Sequence, residues 1–409
     1  MKRFFPLLTL ALALHIALTA MQSMACPFCS TVSQTFTEEI QSMDIVVIVE
    51  LVALPPIKAG DGDQQEIPKA TFIVRKVVKG KALTKVGQVV ETVFFGEAKP
   101  GSAFLVMGVD PPKIAWSTPL PLSDRARKYI PSLLDLPDQG TKRLVFFQQY
   151  LEDADQMLAR DAYDEFAKAP YPEIQALKPN IDHDKLITWI QDPDIPASRR
   201  RLYLTLLGIC GNSSDVAMLE ALLKSDDRKK KAGLDAMIGC YLTLKGPAGM
   251  PLIEDLFLKN AKAEYADTYA AIMALRFHGS ETDVIPRERI LQGLRHMLSR
   301  PQLADLVIPD LARWEDWSVM DELVQLFKDA DDKTSWVRVP VINYLRACPK
   351  PIAKKHIALL EKIDPTAVRR ANTFFPFGAS GPSKTVTAKT TPAEGEPAEE
   401  KPATGVAAP

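Results

Sequence analysis

The sequence lacks the residue patterns that commonly mark an enzyme or a nucleic-acid-binding protein. It contains no His-Glu-x-x-His run, Gly-x-Ser-x-Gly turn, phosphate loop or dinucleotide-binding glycine motif. The formal net charge is −1 over 409 residues, so no basic excess indicates nucleic acid as a partner. The histidines after residue 25 do not pair at metal-ligand spacing. These absences favour a protein without catalytic residues.

Cysteine and glycine are also scarce. Five cysteines are sparse for a disulfide scaffold, and the odd number leaves at least one of them free, blocked or lipidated. The 32 prolines outnumber the 20 glycines. Because proline ends periodic elements, this ratio favours many short helices with stiff connectors. The chain is also too long for a single compact core.

Residues 1–25 have the features of a signal peptide. A positive start at residues 2–3 precedes an apolar segment over 7–20, and small residues occupy the cleavage positions Ser23 and Ala25. The apolar run is short for a membrane span, so we predict cleavage after Ala25 and no transmembrane span thereafter. The protein is then exported, to a periplasm or the extracellular space. Cys26 becomes the first residue, and a lipid anchor there is the alternative.

Residues 26–122 are predicted to form a small β-rich domain. Its apolar, β-branched segments each end at turn residues, and a short amphipathic helix over 31–43 precedes them. The predicted strands cover residues 44–52, 70–78, 88–95, 102–107 and 114–116. Five short strands favour a small closed barrel, because an open sheet would leave its edges exposed.

This β-rich segment resembles the netrin-like modules related to tissue inhibitors of metalloproteinases. The resemblance depends on a cysteine at the predicted N-terminus, Cys26, the helix after it, and the phrases at 44–49 and 72–80. It implies an OB-like barrel, and it implies a protease inhibitor that acts through the amine of Cys26. The inhibitors carry Cys-x-Cys with disulfides to distant cysteines, whereas this chain has Cys26-Pro-Phe-Cys29 and no later cysteine before Cys210. Inhibition is therefore the second alternative.

The pattern becomes helical after residue 122. Residues 123–195 are predicted to be a helical connecting region, in which apolar residues at three- and four-residue intervals over 144–158 predict one amphipathic helix. Residues 378–409 are rich in Pro, Ala, Thr and Glu without apolar periodicity, which predicts a disordered tail.

Between these regions, residues 196–377 repeat a pair of helices. Steps of 30, 38, 37 and 33 residues separate Cys210, Cys240, His278, Glu315 and Cys348, which hold equivalent positions. One helix pair cannot bury its apolar stripe alone, so stacked neighbours are needed to complete the core. The phrases at 206–211 and 274–279 resemble HEAT repeats, which implies an α-solenoid.

Cys26-Pro-Phe-Cys29 is the one local motif with chemical content. A disulfide between Cys26 and Cys29 is one interpretation, and a thiol-redox site is another. Both cysteines are also candidates for half of a metal site, such as a zinc site completed elsewhere. No other cofactor and no catalytic residue is predicted. The remaining cysteines, Cys210, Cys240 and Cys348, are interpreted as small apolar residues at helix ends.

Two basic clusters, 199–201 and 228–231, lie at predicted helix starts. We interpret them as solvated faces with packed aliphatic stems, and a basic stripe for an acidic partner is the alternative.

Together these patterns predict an α+β multidomain protein, with a small N-terminal OB-like barrel followed by an α-solenoid of HEAT-like helix pairs. The predicted function is that of an exported, non-enzymatic binding or scaffolding protein. Its solenoid surface would contact a protein or an envelope polymer, and not nucleic acid. The first alternative is a thiol-redox or metal-binding envelope protein that acts through Cys26 and Cys29.

Overall fold

The computed structural model describes residues 26–29, 33–55 and 68–373. The predicted signal peptide and the predicted disordered tail lie outside these residues. Tertiary contacts divide the chain into two compact units, with the boundary between Val307 and Ile308. A nearly closed antiparallel sheet comes first and helices follow, which confirms the predicted α+β class. The predicted boundaries at 122 and 195 both fall inside the first unit and stay predictions.

Six strands form the antiparallel sheet. They are β1 (Ile45–Ala53), β2 (Lys69–Lys79), β3 (Val89–Val93), β4 (Ala103–Val109), β5 (Ala115–Trp116) and β6 (Leu120–Pro121). Their order is β3-β2-β1-β4-β5, and β6 pairs with β4. The Thr92 hydroxyl donates a 3.0 Å hydrogen bond to the Ser117 carbonyl, which joins β3 to the segment after β5 and nearly closes the barrel. All five predicted strands are confirmed, whereas β6 was not predicted.

The barrel is filled by alternate side chains of its strands. Phe72, Phe94 and Phe104 meet edge to face, with ring centroids 5.4 to 6.0 Å apart. Valine, isoleucine and leucine side chains of β1 and β2 surround them. Among the described residues between 43 and 122, the buried polar side chains are Thr84 and Thr92 alone. The barrel core is therefore held by apolar packing.

Helices make up the rest of the first unit. They are α1 (Phe36–Ser42), α2 (Asp124–Ser132), α3 (Thr141–Gln148), α4 (Gln156–Lys168), α5 (Tyr171–Gln175), α6 (His183–Gln191), α7 (Ala197–Cys210), α8 (Val216–Leu223), α9 (Leu234–Lys245), α10 (Met250–Ile253), α11 (Tyr265–Ser280) and α12 (Arg287–Arg295). A π-helical turn, Glu254–Leu258, extends α10. Helix α7 packs against α9, and α9 packs against α11. The helix predicted over 31–43 is observed over a shorter range as α1, which starts after a capping box at Thr35.

The second unit is also helical. Its helices are α13 (Ile308–Arg313), α14 (Met320–Asp329), α15 (Arg338–Ala347), α16 (Pro351–Ile363) and α17 (Pro365–Thr373). Short 3-10 turns connect helices of both units at Leu133–Asp135, Lys178–Asn180, Ser213–Asp215, Gly246–Gly249, His296–Ser299, Ala304–Leu306, Trp317–Val319 and Ser335–Val337. The described residues of the predicted repeat region are built of helices joined by short turns and loops. The HEAT-like repeat and the solenoid themselves stay predictions.

The single helix predicted over 144–158 is wrong, because α3 and α4 are separate. Glu152 adopts a φ of 56°, which lies outside the helical region. The Asp153 carboxylate accepts a hydrogen bond from the backbone of Asp155, and the Asp155 carboxylate caps the amide of Met157. These local hydrogen bonds compete with the helix and start a new one, even though the apolar spacing continues.

Candidate functional site

The Cys26–Cys29 motif is docked on helices of the first unit. The two sulfurs are joined in a disulfide, and the amide of Cys29 donates a hydrogen bond to the carbonyl of Cys26. Cys26 and Phe28 are each 6% exposed, whereas Cys29 is partly exposed. The Phe28 ring lies 4.9 Å from the ring of Phe277 in α11, measured between centroids. The motif therefore encloses an aromatic side chain that is inserted into the helical region.

A glycine of α9 makes room for this insertion. A Cβ atom at Gly239 would lie 2.7 Å from the Phe28 ring, so a larger residue would clash with it. The Gly239 carbonyl accepts a 3.0 Å hydrogen bond from Nε2 of the buried His278. Since a carbonyl can only accept, Nε2 carries the hydrogen. Burial lowers the pKa of His278 to about 4, which keeps the ring neutral at its place on the Gly239 carbonyl.

Residues 26–29 and 33–42 form what we call the N-terminal strap, and polar contacts fix its second half to α4. The Phe36 amide donates a 2.7 Å hydrogen bond to the carboxylate of Asp161, and the Tyr129 hydroxyl donates one of 2.5 Å to the same group. Burial raises the pKa of Asp161 to about 7, the charges of Glu165 and Asp164 add to the rise, and the two hydrogen bonds oppose it. Asp161 thus carries a titratable proton at the junction of strap and helix.

A buried ion pair stands beside Asp161. Arg143 makes a two-pronged contact with Glu165, with N–O distances of 2.7 and 3.1 Å, and both side chains are buried. Arg143 also donates a 2.8 Å hydrogen bond to the Thr37 hydroxyl of the strap. Lys168 of α4 pairs with Glu38, which completes the polar contacts of this junction. These interactions attach the strap to the helices in a single orientation.

The predicted metal and thiol chemistry finds little support around these cysteines. Sulfurs that are bonded to each other cannot serve as thiolate ligands. Within residues 26–29, 33–55 and 68–373, no group of three or more His, Cys, Asp or Glu side chains is arranged to hold a metal ion. Cys210, Cys240 and Cys348 are free, and burial raises the pKa of the Cys210 thiol to about 11 and that of the Cys240 thiol well above its ordinary value. Such thiols are poor nucleophiles.

Most side chains of the two basic clusters are used inside the first unit. Arg199 pairs with Glu152 at 3.0 Å, and Arg201 pairs with Asp235 at 2.8 Å. Arg200 is 1% exposed and donates to backbone carbonyls. In the second cluster, Arg228 and Lys231 pair with Asp267, and Lys229 pairs with Asp194. The burial of Arg200 departs from the interpretation of the first cluster as a solvated face. The ion pairs leave little free positive charge for an acidic partner.

A groove in the barrel has a volume of about 730 Å³. It lies between the segment after β3 and the segment around β6, and we call it the barrel groove. Phe94 and Phe104 are buried beside it, Pro119 and Pro121 line the opposite wall, and Phe95 at the rim is 76% exposed. The ion pair between Asp124 and Arg127, at 3.2 Å, lies at one end of the groove. The lining thus combines aromatic and proline side chains with charged and hydroxyl groups, and concave surfaces that combine apolar and polar groups are common binding sites.

Sequence reasoning missed this groove. The available signal was the Phe94-Phe95 pair before Gly96, since two adjacent residues of one strand point to opposite sides and only one can enter the barrel. No protein-family model and no curated protein sequence matches the chain. No helix in the part of the chain that the structure describes is long and apolar enough to cross a bilayer.

Proposed function

We propose that this chain is an exported, non-enzymatic binding protein whose helical region is a scaffold for partners and whose barrel groove holds a segment of a protein or polymer. The observation that carries this proposal is the exposed Phe95 beside a groove of about 730 Å³. An aromatic side chain left in solvent beside a groove of mixed apolar and polar lining is the arrangement of a contact residue. The strand order and near closure of the sheet also support the OB-type fold, in which a barrel face and its loops bind extended ligands.

The backbone at the groove favours an extended partner. The Phe94 amide bonds to Pro68 and the Gln88 carbonyl accepts from Val74, so β3 turns its even-numbered backbone groups towards β2. Because hydrogen bonding alternates along an antiparallel strand, the backbone of Val93, the last residue of β3, turns to the open side, and Phe95 follows two residues later. Across the groove, Pro119 and Pro121 have no amide hydrogen to pair with this edge. A segment that enters the groove could add backbone hydrogen bonds to apolar contacts with Phe95.

Site-specific photocrosslinking tests the groove. A photoreactive phenylalanine analogue at Phe95 is expected to form discrete crosslinked species with an envelope fraction, which mass spectrometry then identifies. The matched control places the same analogue at Tyr265, which is 58% exposed on a helix of the same unit. Crosslinking at position 95 that is no stronger or more discrete than at position 265 would contradict the proposal.

A thiol-redox or metal function of Cys26 and Cys29 is the second candidate. Its specific support is that Cys29 remains partly exposed, so a thiolate could attack the disulfide there. It predicts a measurable reduction potential or stoichiometric metal that is lost in Cys26→Ser and Cys29→Ser. A wild-type protein that is metal-free and inert to dithiol reagents rejects this candidate. The inhibitor alternative requires a free amine at Cys26, and the burial of that residue against the helices weighs against it.

A further inference from the structure

The turn between β2 and β3 holds apolar side chains in solvent although its backbone is well ordered. The amides of Leu83 and Thr84 donate to the Gly80 carbonyl at 2.9 and 3.2 Å, and the Gly87 amide donates to Val74 at 2.9 Å. The buried Thr84 hydroxyl also donates to the side-chain oxygen of Gln88 at 3.0 Å. These bonds fix the turn, so its outward-facing side chains are held there by the fold.

Two apolar residues of this turn and the first residue of β3 are conspicuously exposed. Val86 is 63% exposed, Val89 58% and Leu83 45%. A single exposed aliphatic residue is ordinary, whereas several on one ordered projection indicate a surface that is covered by something else. We call residues 81–89 the barrel tip.

The charged residues within the sequence segment that contains the barrel tip have one sign. Residues 76–90 contain lysines at 76, 79, 81 and 85 and no Asp or Glu. Lys79 is occupied, because its ammonium group donates to the carbonyls of Ile40 and Gln41. Lys76, Lys81 and Lys85 are exposed and have no ion-pair partner among the described residues. The tip therefore combines exposed aliphatic side chains with exposed lysines that have no ion-pair partner among the described residues.

We propose that the barrel tip is a membrane-contact surface for an anionic lipid bilayer. Leu83 and Val86 enter the interfacial layer of the bilayer, and Lys81 and Lys85 lie against the lipid phosphates. A bilayer accepts exposed aliphatic side chains without a shaped pocket, and apolar residues between lysines combine burial of apolar area with attraction to anionic headgroups. A partner protein would have to supply both an acidic surface and a matching cavity. This proposal goes beyond the barrel groove and does not depend on its occupant.

Vesicle co-sedimentation tests the proposal. The protein is the chain that begins at Cys26, with its intact mass used to exclude an acyl chain. We expect binding to vesicles of phosphatidylglycerol and phosphatidylcholine, much weaker binding to phosphatidylcholine alone, and loss of binding in high salt. Lys81→Ala with Lys85→Ala should weaken binding roughly 30-fold. Leu83→Gln with Val86→Gln should weaken it about tenfold.

Two control pairs match these changes in chemistry and exposure. Val52→Gln with Leu54→Gln alters exposed aliphatic residues at the end of β1, and Lys328→Ala with Lys333→Ala removes exposed lysines of the second unit. Both controls should bind as the wild type does, and thermal melts should show that all four variants are folded. Equal binding to both kinds of vesicle, or equal loss in the controls, overturns the proposal.

Two further outcomes also count against it. Binding that needs Lys81 and Lys85 but not Leu83 and Val86 identifies a purely electrostatic contact, such as one with an acidic protein. If the Leu83 and Val86 changes alter the molecular mass in solution and leave vesicle binding unchanged, the barrel tip is a contact between copies of this chain.

Discussion

The barrel and the helical part of the first unit differ in which side chains they bury and which they expose. Among the described residues of the barrel, no charged side chain is buried, yet several large apolar side chains are left in solvent. The helical part exposes fewer such residues and buries many charges. Those buried charges are Arg143, Asp153, Asp161, Asp164, Glu165, Arg200, Asp215, Glu254 and Asp267.

This difference indicates different roles for the two regions. Buried ion pairs add little net stability over apolar packing, but an incorrect arrangement leaves a charge unpaired at high cost. We therefore infer that the charges of the helical part fix one arrangement of its helices and of the N-terminal strap. The barrel has spare apolar surface instead, and contact surfaces are built from such residues.

The largest effect is expected where a buried pair is broken. Arg143→Ala leaves Glu165 buried without its partner and should lower the free energy of unfolding by about 3 to 5 kcal/mol. Denaturant unfolding monitored by circular dichroism measures this loss. The control is Arg75→Ala in the barrel, whose pair with Glu50 at 2.9 Å is exposed and should contribute little. Similar losses in the two variants would remove the contrast between the regions.

The next effect concerns the strap. Phe28→Ala empties the space between α9 and α11 and should cost about 3 kcal/mol. Gly239→Ala should also lower the free energy of unfolding, because its new methyl group meets the Phe28 ring. The double variant Phe28→Leu with Gly239→Ala should lose less stability than the sum of the losses in Phe28→Leu and Gly239→Ala. Unfolding free energies of the cycle provide the measurement. Strict additivity would show that Phe28 does not occupy this position.

A pH dependence should distinguish the helical part from the barrel. The pKa of Asp161 rises from 3.8 to about 7 on folding, so the folded state binds this proton more tightly. Its contribution to stability is complete below about pH 4 and is lost as the pH rises through 7. Between pH 5 and 8 the wild type should lose roughly 2 to 3 kcal/mol relative to Asp161→Asn. Parallel stability curves for the two proteins would contradict this assignment.

The smallest effect on stability is expected at the groove. Phe95→Ala should change the free energy of unfolding by less than about 0.5 kcal/mol, because the ring is largely in solvent. The same substitution should reduce binding to any partner that is crosslinked at this position. A large loss of stability would show that Phe95 is a structural residue of the barrel. The barrel would then have less spare apolar surface for contacts than the comparison with the helical part assumes.

The local parts of this fold were predictable, and the contacts between them were not. Alternation and turn residues located β1 to β5, because both signals act within a few positions. The spacing over 144–158 gave a wrong helix, because side-chain oxygens of Asp153 and Asp155 outweighed the apolar pattern locally. The sequence also could not show that Phe28 meets Gly239, or that Arg200 is buried. Such contacts join residues far apart in the chain, and the periodic spacing of apolar residues cannot predict them.

The strap has a consequence for how the protein is made. The Phe36 amide donates to the carboxylate of Asp161, which lies 125 residues later in the chain. The Phe28 ring packs between α9 and α11, so both helices must be in place before it can be buried. A chain synthesised from its N-terminus therefore presents an unsatisfied aromatic residue until most of the first unit has been assembled. We expect the N-terminal strap to dock last during folding, because its contacts are with residues far along the chain. It then completes a slow step and is not part of an early folding nucleus.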